Sequence, residues 1–460
     1  MKYFLLCLLL LTASASRSFA QEKSPGVSPP ATTAGRHVEA YLRAFNTEGE
    51  TSMRSFFESH TAKNALKDAP VEERLSHFRR MKQRLGSLQL RKVLGSSEEM
   101  VSIVAKAGNG GFVQLDFQCE PAQPHGLLGI RVEDLDDEDQ GQKAGAKKNS
   151  DEELVSAVSE YLSDLSKTDV FSGVVLIAKK GQPFFERTFG YADRDRKRPN
   201  KIDTKFNLGS INKRFTKTAI HILVAQGKLS LSDPIGKFLP DYPNKTAAEK
   251  VTIQQLLEMK SGIGDFFGER YERTPKERIR SIADYMPLFA DKPLEFEPGT
   301  NRRYSNGGYV VLGAIIEKVS GKEYYTFVRE NVFIPAGMFS TESFEKDKEV
   351  PQRALGYTKG EGGSKGEWRS NYPTLPAKGS SAGGGYSTVH DLLRFVQAFE
   401  KGIFPAPDNE QGLGIAGGAP GMNAELEWDP ATGYVIVVLS NFDPPSAERV
   451  ARQIRAWLPR

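Results

Sequence analysis

The tightest constraint on the fold is where strand-like runs fall between Glu152 and Leu458. A helical pattern at Glu152–Ser166 is followed by two such runs, Phe171–Ala178 and Pro183–Tyr191, joined at Lys180-Gly181. Two more lie near the other end, Ala424–Trp428 and Tyr434–Leu439, around the turn Asp429–Gly433. A helical pattern at Ala447–Leu458 then sets Val450, Ala451, Ile454, Trp457 and Leu458 on one side. Short apolar runs bounded by Gly, Pro and Asp read as strands, and Tyr434–Leu439 is apolar enough to be a central one. Helical patterns fill the space between, among them Thr252–Met259, Gly308–Lys318, Tyr324–Val332 and a segment from Thr388 to Phe399. Thr252 and Thr388 are placed to cap their helices, and Asp391 gives the latter a capping-box-like start. The expected fold is α+β, an α/β/α sandwich. One antiparallel sheet comes from both ends of the segment, with helices on its faces and a helical subdomain between.

The 460 residues leave room for more than this domain. Met1-Lys2, the apolar run Tyr3–Leu11 and the small-x-small site Ser18-Phe19-Ala20 predict a signal peptide over 1–20. The alternative is an uncleaved anchor, disfavoured by so short an apolar run. Residues 21–33, rich in Pro, Ser, Ala and Thr, read as a flexible tether. Helical patterns at Val38–Phe45, Met53–His60 and Val71–Leu85 then give way to period-two runs at Leu88–Leu94, Met100–Ala107, Phe112–Phe117 and Gly126–Val132. Together they predict a smaller α+β domain over 34–132. Residues 133–150, acidic and then rich in Gly, Ala and Lys, read as a linker. The second domain takes 151–460.

Charge and cysteine content narrow the partners. Lys and Arg number 62 against 58 Asp and Glu. Removal of Lys2 and Arg17 with the signal leaves 60 against 58, a net charge of about +2. No basic run interleaved with aromatics points to nucleic acid. Cys7 leaves with the signal, so Cys119, in an apolar run, has no intrachain partner and reads as a core residue. No second stretch reaches membrane-spanning length, so no stable membrane insertion is expected once the signal is removed.

Chemistry concentrates in Phe206–Ile220, which holds Ser210 and Lys213. The apolar positions Phe215, Ala219, Ile222 and Leu223 continue a helical period behind them. Residues three apart share a helix face, so hydroxyl and amine would be neighbours near a helix start. A serine oxygen needs a base before it is a nucleophile, and a lysine with a lowered pKa supplies one. The plainer reading is a capping serine with a surface lysine. A second Ser-x-x-Lys, Ser343–Lys346, shows that the pair alone does not decide. His60 and His77 read as ordinary polar residues, and His390 is accounted for by its helix. The stretch Phe266–Lys276, aromatic and charged without a clear period, is placed to border a cleft.

An ordered set of motifs settles the choice. SINK at 210–213, YSN at 304–306, PAGM at 335–338, the glycine-rich segment before Thr388 and GIAGGAPG at 414–421 occur in that order. Residues 152–458 thereby resemble the serine β-lactamase and penicillin-binding-protein-like superfamily, in the branch of class C β-lactamases, D-alanyl-D-alanine carboxypeptidases and related esterases. Tyr242-Pro243-Asn244 also reads Tyr-x-Asn but sits in a proline turn. The opening of the first domain, AYLRAFN at 40–46 followed by RSFFESH at 54–60, resembles the nuclear-transport-factor-2-like fold. The first resemblance implies a β-lactamase/transpeptidase-like domain in which Ser210 is acylated and Lys213 helps remove its proton. It implies that Tyr304 shuttles protons as general base and acid, with a lysine ammonium favouring its anion. Asn306 would bridge Lys213 and substrate, and the N–H groups of Ser210 and Gly418 would form the oxyanion hole.

The third motif departs from the family pattern. Lys or His, Thr or Ser, and Gly are expected there; this chain has Ile415, Ala416 and Gly417. Loss of two polar side chains from the cleft weakens a substrate carboxylate site, with Arg302 or Arg303 as candidate replacements. The expectation is therefore an exported serine hydrolase, periplasmic or extracellular, acting on a small-molecule ester or amide. The alternatives are peptidoglycan peptide or β-lactam hydrolysis, and a noncatalytic binder of cell-wall peptides. No metal or organic cofactor is implied, and protein partners are left open.

Overall fold

Alternation along single strands decides the layout of the larger unit. In the computed structural model, Val174, Leu176 and Ala178 face one hydrophobic core, while Val175 and Ile177 face another. They belong to β5 (Gly173–Lys179), which pairs with β6 (Gln182–Phe189) in a five-stranded antiparallel sheet. The other three strands come from the far end: β7 (Leu413–Ala419), β8 (Met422–Asp429) and β9 (Tyr434–Ser440). Their order is β7-β8-β9-β5-β6, so β9 is central and joins the two ends of the unit. Its register against β5 runs from Tyr434↔Lys179 to Ser440↔Gly173. The sheet is thus made from both ends of the segment, as expected.

Each face is covered by the helices whose apolar stripe fits it. On one side, Leu154, Val158 and Leu162 of α4 (Asp151–Lys167) and Ala447, Val450, Ala451 and Ile454 of α8 (Ser446–Trp457) pack on Val175, Ile177, Ile436 and Val438. Burial of each such branched side chain contributes roughly 1.5–3 kcal/mol. On the other side lie α5 (Asn212–Ala225), α6 (Asn306–Ser320) and α7 (Val389–Glu400), in one core with Val174, Leu176, Val435, Val437 and Leu439.

Local chemistry sets the ends of these helices. Thr252 forms a full capping box with Gln255 at the short helix Ile253–Leu257. At α7 only half of the expected box forms. Thr388 accepts from the Asp391 backbone, but the Asp391 carboxylate accepts from Ser340 N–H and the Thr341 hydroxyl instead. The helical pattern Tyr324–Val332 divides into Tyr324–Val328 and a π-helical turn Arg329–Phe333.

The smaller unit carries a four-stranded antiparallel meander: β1 (Leu88–Ser96), β2 (Met100–Ala107), β3 (Phe112–Cys119) and β4 (Leu127–Leu135). With it go α1 (Thr33–Asn46), α2 (Thr51–His60) and α3 (Val71–Leu85) from Leu75 onward. Tyr41 of α1 meets Phe45, Phe56 and Phe117 in an aromatic core. Cys119 is buried, and burial pushes its thiol up to about 11. His60 bonds the buried His37 through their Nδ1 atoms at 2.9 Å.

By internal contacts the chain divides into one unit comprising residues up to Ala62 and from Leu75 to 141, and another comprising Lys63–Arg74 and residues from 142 onward. The described residues are 27–47, 49–120, 123–135, 147–360, 366–405 and 412–459. The expected signal peptide 1–20, the start of the tether and the centre of the 133–150 linker lie outside them. The end of the tether does not stay extended, because Thr32 accepts from Gly35 N–H and starts α1 earlier than the apolar pattern indicates. No described helix is long and apolar enough to cross a membrane.

Candidate active site

Ser210 sits on a single 3₁₀ turn, Gly209–Ile211, that leads directly into α5. The turn needs glycine at 209. Its φ is +50°, and a Cβ there would come within 2.9 Å of Gly418 N. One helical turn on, Lys213 is only 6% exposed. Its Nζ lies 3.0 Å from Ser210 Oγ, 2.7 Å from Asn306 Oδ1 and 2.5 Å from the Ala382 carbonyl oxygen. Tyr304 closes the group from the open side, its hydroxyl 2.5 Å from Ser210 Oγ. The structure therefore brings Ser210, Lys213, Tyr304 and Asn306 into one bonded cluster.

The YSN segment shows why three consecutive residues divide their work. Ser305 is the cap of α6: its hydroxyl accepts from Gly308 N–H and donates to the Gly264 carbonyl. That fixes the start of the helix, with Tyr304 and Asn306 held beside Ser210 and Lys213. Asn306 in turn donates through Nδ2 to Asp265 Oδ2 at 2.6 Å.

Electrostatics follow from burial. Removal from water lowers Lys213 to about 7, against an opposing pull from the Asp265 carboxylate. A neutral amine has two N–H donors and one lone pair. The Ala382 carbonyl and Asn306 Oδ1 only accept, so the neutral form leaves its lone pair for the Ser210 hydroxyl. Tyr304 is raised, first by desolvation and further by Asp265, with the Ser210 bond opposing. This is opposite to the anion-favouring shift expected from a lysine ammonium: near neutrality the lysine is substantially uncharged and the phenol keeps its proton.

The third-motif strand β7 runs along the edge of the sheet beside the Ser210 turn. A Cβ on Gly417 would stand 2.0 Å from the Leu208 carbonyl oxygen and 2.8 Å from Ser210 N, so only glycine permits this approach. Ala416 and Gly418 line the cleft. Ile415 does not; it packs against the hydrophobic core, and Gly417 is buried. Period-two alternation thus corrects the expectation that Ile415 and Gly417 face the cleft. Only Ala416 presents a substituted side chain there.

The cleft has a volume of about 680 Å³, within the usual range for small-molecule sites. Phe266, Phe267, Tyr271 and Tyr285 form much of one wall, and Gly383, Gly384, Ala416 and Gly418 contribute small surfaces elsewhere.

These features correspond to a known family. The profile for beta-lactamase matches residues 155–413. The chain belongs to the beta-lactamase family. Among its relatives, penicillin-binding protein 4* of Bacillus subtilis (strain 168) is 35% identical over 198 residues, 42% of this chain. That match spans only 43% of the relative's own length. Putative penicillin-binding protein PbpX of the same strain is 28% identical over 332 residues, 67% of this chain and 81% of the relative. The crystal structure of a penicillin binding protein from Bacillus halodurans is similar at TM-score 0.56 and 28% identity, covering 64% of this chain and 98% of that one.

Other residues singled out in the sequence fall away from the nucleophile. Ser343 and Lys346 are not on a helix, and Lys346 Nζ bonds the Leu375 carbonyl and Glu277. Lys346 does line the cleft. Arg302 and Arg303 are exposed and line no part of it, and Arg303 pairs with Glu295. Asn244 caps the helix Lys245–Lys250. His390 bonds Glu186 at 2.6 Å.

Asp265 and the Ala382 carbonyl escaped the sequence reading. Asp265 precedes the aromatic stretch expected to border the cleft, but its partner is 41 positions away and no local period signals it. Among the described residues, no group of three His, Cys, Asp or Glu side chains could hold a metal ion.

Proposed function

We propose that the protein is an esterase or amidase that works through an acyl-enzyme on Ser210. The observation that carries this reading is the neutral-amine geometry: a buried lysine lowered to about 7, its lone pair available to the serine hydroxyl. Lys213 takes the Ser210 proton as Oγ forms its bond to the substrate carbonyl carbon. The developing oxyanion is held by the N–H groups of Ser210 and Gly418. When the intermediate collapses, Tyr304 gives its phenolic proton to the departing alkoxide or amine and regains one from the Lys213 ammonium. Water then adds to the acyl-enzyme carbonyl, yielding a proton to the Tyr304–Lys213 pair. The ester bond to Ser210 breaks, and Oγ recovers that proton as the acid leaves.

The cleft favours uncharged esters or amides over carboxylate-bearing peptides. Ala416 offers no hydroxyl, and Lys346 is already bonded to a carbonyl and a carboxylate. The amino-terminal signal pattern supports action outside the cytoplasm, in the periplasm or medium.

The test is labelling of the mature protein with a fluorophosphonate and with a labelled penicillin, adducts being mapped by mass spectrometry. The expected result is a fluorophosphonate adduct on Ser210, lost in Ser210→Ala, with turnover of short p-nitrophenyl esters and no stable penicillin adduct. No adduct on Ser210 with either reagent and no ester turnover would overturn the proposal. A penicillin adduct together with release of D-alanine from cell-wall peptides would assign the enzyme to carboxypeptidase chemistry instead.

A further inference from the structure

We infer that the cleft is shaped for a substrate with an aryl group next to its scissile bond, and that Phe267 is the residue that selects it. The inference rests on the acyl-enzyme reading of Ser210. Phe267 is 54% exposed and lines the same cleft as Ser210. A phenyl ring so exposed leaves a large apolar face in water, which a second ring would cover.

The rings behind it form a rigid support. Phe266 lies 4.4 Å from Phe267 between ring centroids, and Tyr271 lies 5.0 Å from it edge-on. Phe266 rests in turn on Tyr285 at 5.0 Å. All three supporting rings are buried. Tyr285 donates to the Lys378 carbonyl at 2.7 Å, which ties the wall to the segment leading into the glycine-rich wall.

Asp265 sets this wall in register with the chemistry. One carboxylate oxygen accepts from Phe267 N–H at 3.0 Å; the other accepts from Asn306 Nδ2 at 2.6 Å, and Asn306 binds Lys213. A single side chain thus fixes the exposed ring relative to the cluster around Ser210. The small residues Ala416, Gly418 and Gly383 leave space for a planar group in the cleft. Stacked or edge-on ring pairs are the favoured contact for such a group.

The aryl group belongs either to the acyl part or to the leaving alcohol or amine, and two arms of one assay separate these. Rates with ethyl phenylacetate and with benzyl acetate are compared with ethyl acetate by titration of released acid, in wild type, Phe267→Ala, Phe267→Leu and Phe267→Tyr. Wild type is expected to prefer one aryl ester in kcat/KM. Phe267→Ala and Phe267→Leu should reduce that preference about tenfold, the discrimination one ring contact supplies, and Phe267→Tyr should retain it. Preference in the first arm places the ring on the acyl side, and preference in the second places it on the leaving group. No aryl preference in either arm, or a preference unmoved by loss of the ring, overturns the inference. Fluorophosphonate labelling of Ser210 in each preparation separates the two proposals. Labelling with ethyl acetate turnover but no aryl preference sinks this inference alone, whereas no labelling and no turnover of any ester removes both.

Discussion

At the scale of single residues, the proposed reaction turns on Lys213, which burial keeps near the point of losing its proton. Lys213 must be neutral to receive the Ser210 proton, so kcat/KM for a short ester should rise with pH and level off above about 7. Asp265 pulls that value upward. Asp265→Asn, which keeps an oxygen for Asn306 Nδ2, should therefore move the rising limb to lower pH. A pH–rate profile of both proteins checks this, and a limb that stays put or moves up would refute it. The same lysine leaves a mark on stability. Unfolded, it holds its proton to about 10.5; folded, only to about 7. Between these values the unfolded chain binds more protons, so folding becomes more favourable as pH rises. Relative to Lys213→Met, the wild type should gain up to about 1.4 kcal/mol per pH unit across that window. Urea unfolding at pH 7.5, 8.5 and 9.5 measures it; equal slopes for the two proteins would contradict the shift. The nucleophile–lysine pair was visible in the sequence because three-residue spacing is a property of the helix itself. Asp265 was not, because nothing local ties it to Asn306.

At the scale of elements, the site is held by one helix cap and by one close approach that only glycine allows. Ser305 caps α6 and bonds the Gly264 carbonyl, which fixes Tyr304 and Asn306 beside the serine. On the other side, β7 meets the nucleophile turn through Gly417. Gly417→Ala should push the edge strand off that turn and lower kcat/KM at least tenfold, while the melting temperature falls only a few degrees, since β7 is an edge strand that can shift without opening the core. Ester kinetics and thermal unfolding together decide the matter; unchanged kinetics would mean that the approach plays no part. Most strands and helices were legible from period and caps. The orientation of β7 was not. Gly414-Ile415-Ala416-Gly417-Gly418 carries too few side chains for alternation to show which face is buried, and only packing against the core turned Ile415 inward and Ala416 to the cleft.

At the scale of the whole molecule, the sheet of the larger unit is completed within one stretch of chain. All five strands of its sheet, and both helices on the face away from α5 and α6, come from Asp151–Trp457. A chain of residues 147–460 should fold cooperatively and keep fluorophosphonate labelling of Ser210; an unfolded or unlabelled product in circular dichroism and mass spectrometry would show that the first unit is needed. By itself, the sequence determined the sheet assembled from both ends of one segment, and it pointed to the serine, lysine, tyrosine and asparagine that meet in the cleft. These rest on periodicity, capping chemistry and ordered motifs, which are written along the chain. Tertiary structure alone decided the directions in which burial shifts Lys213 and Tyr304, the two bonds of Asp265, the inward turn of Ile415 and the exposed ring of Phe267. Desolvation, long-range hydrogen bonds and the facing of an edge strand depend on which distant segments meet, and no local pattern encodes that meeting.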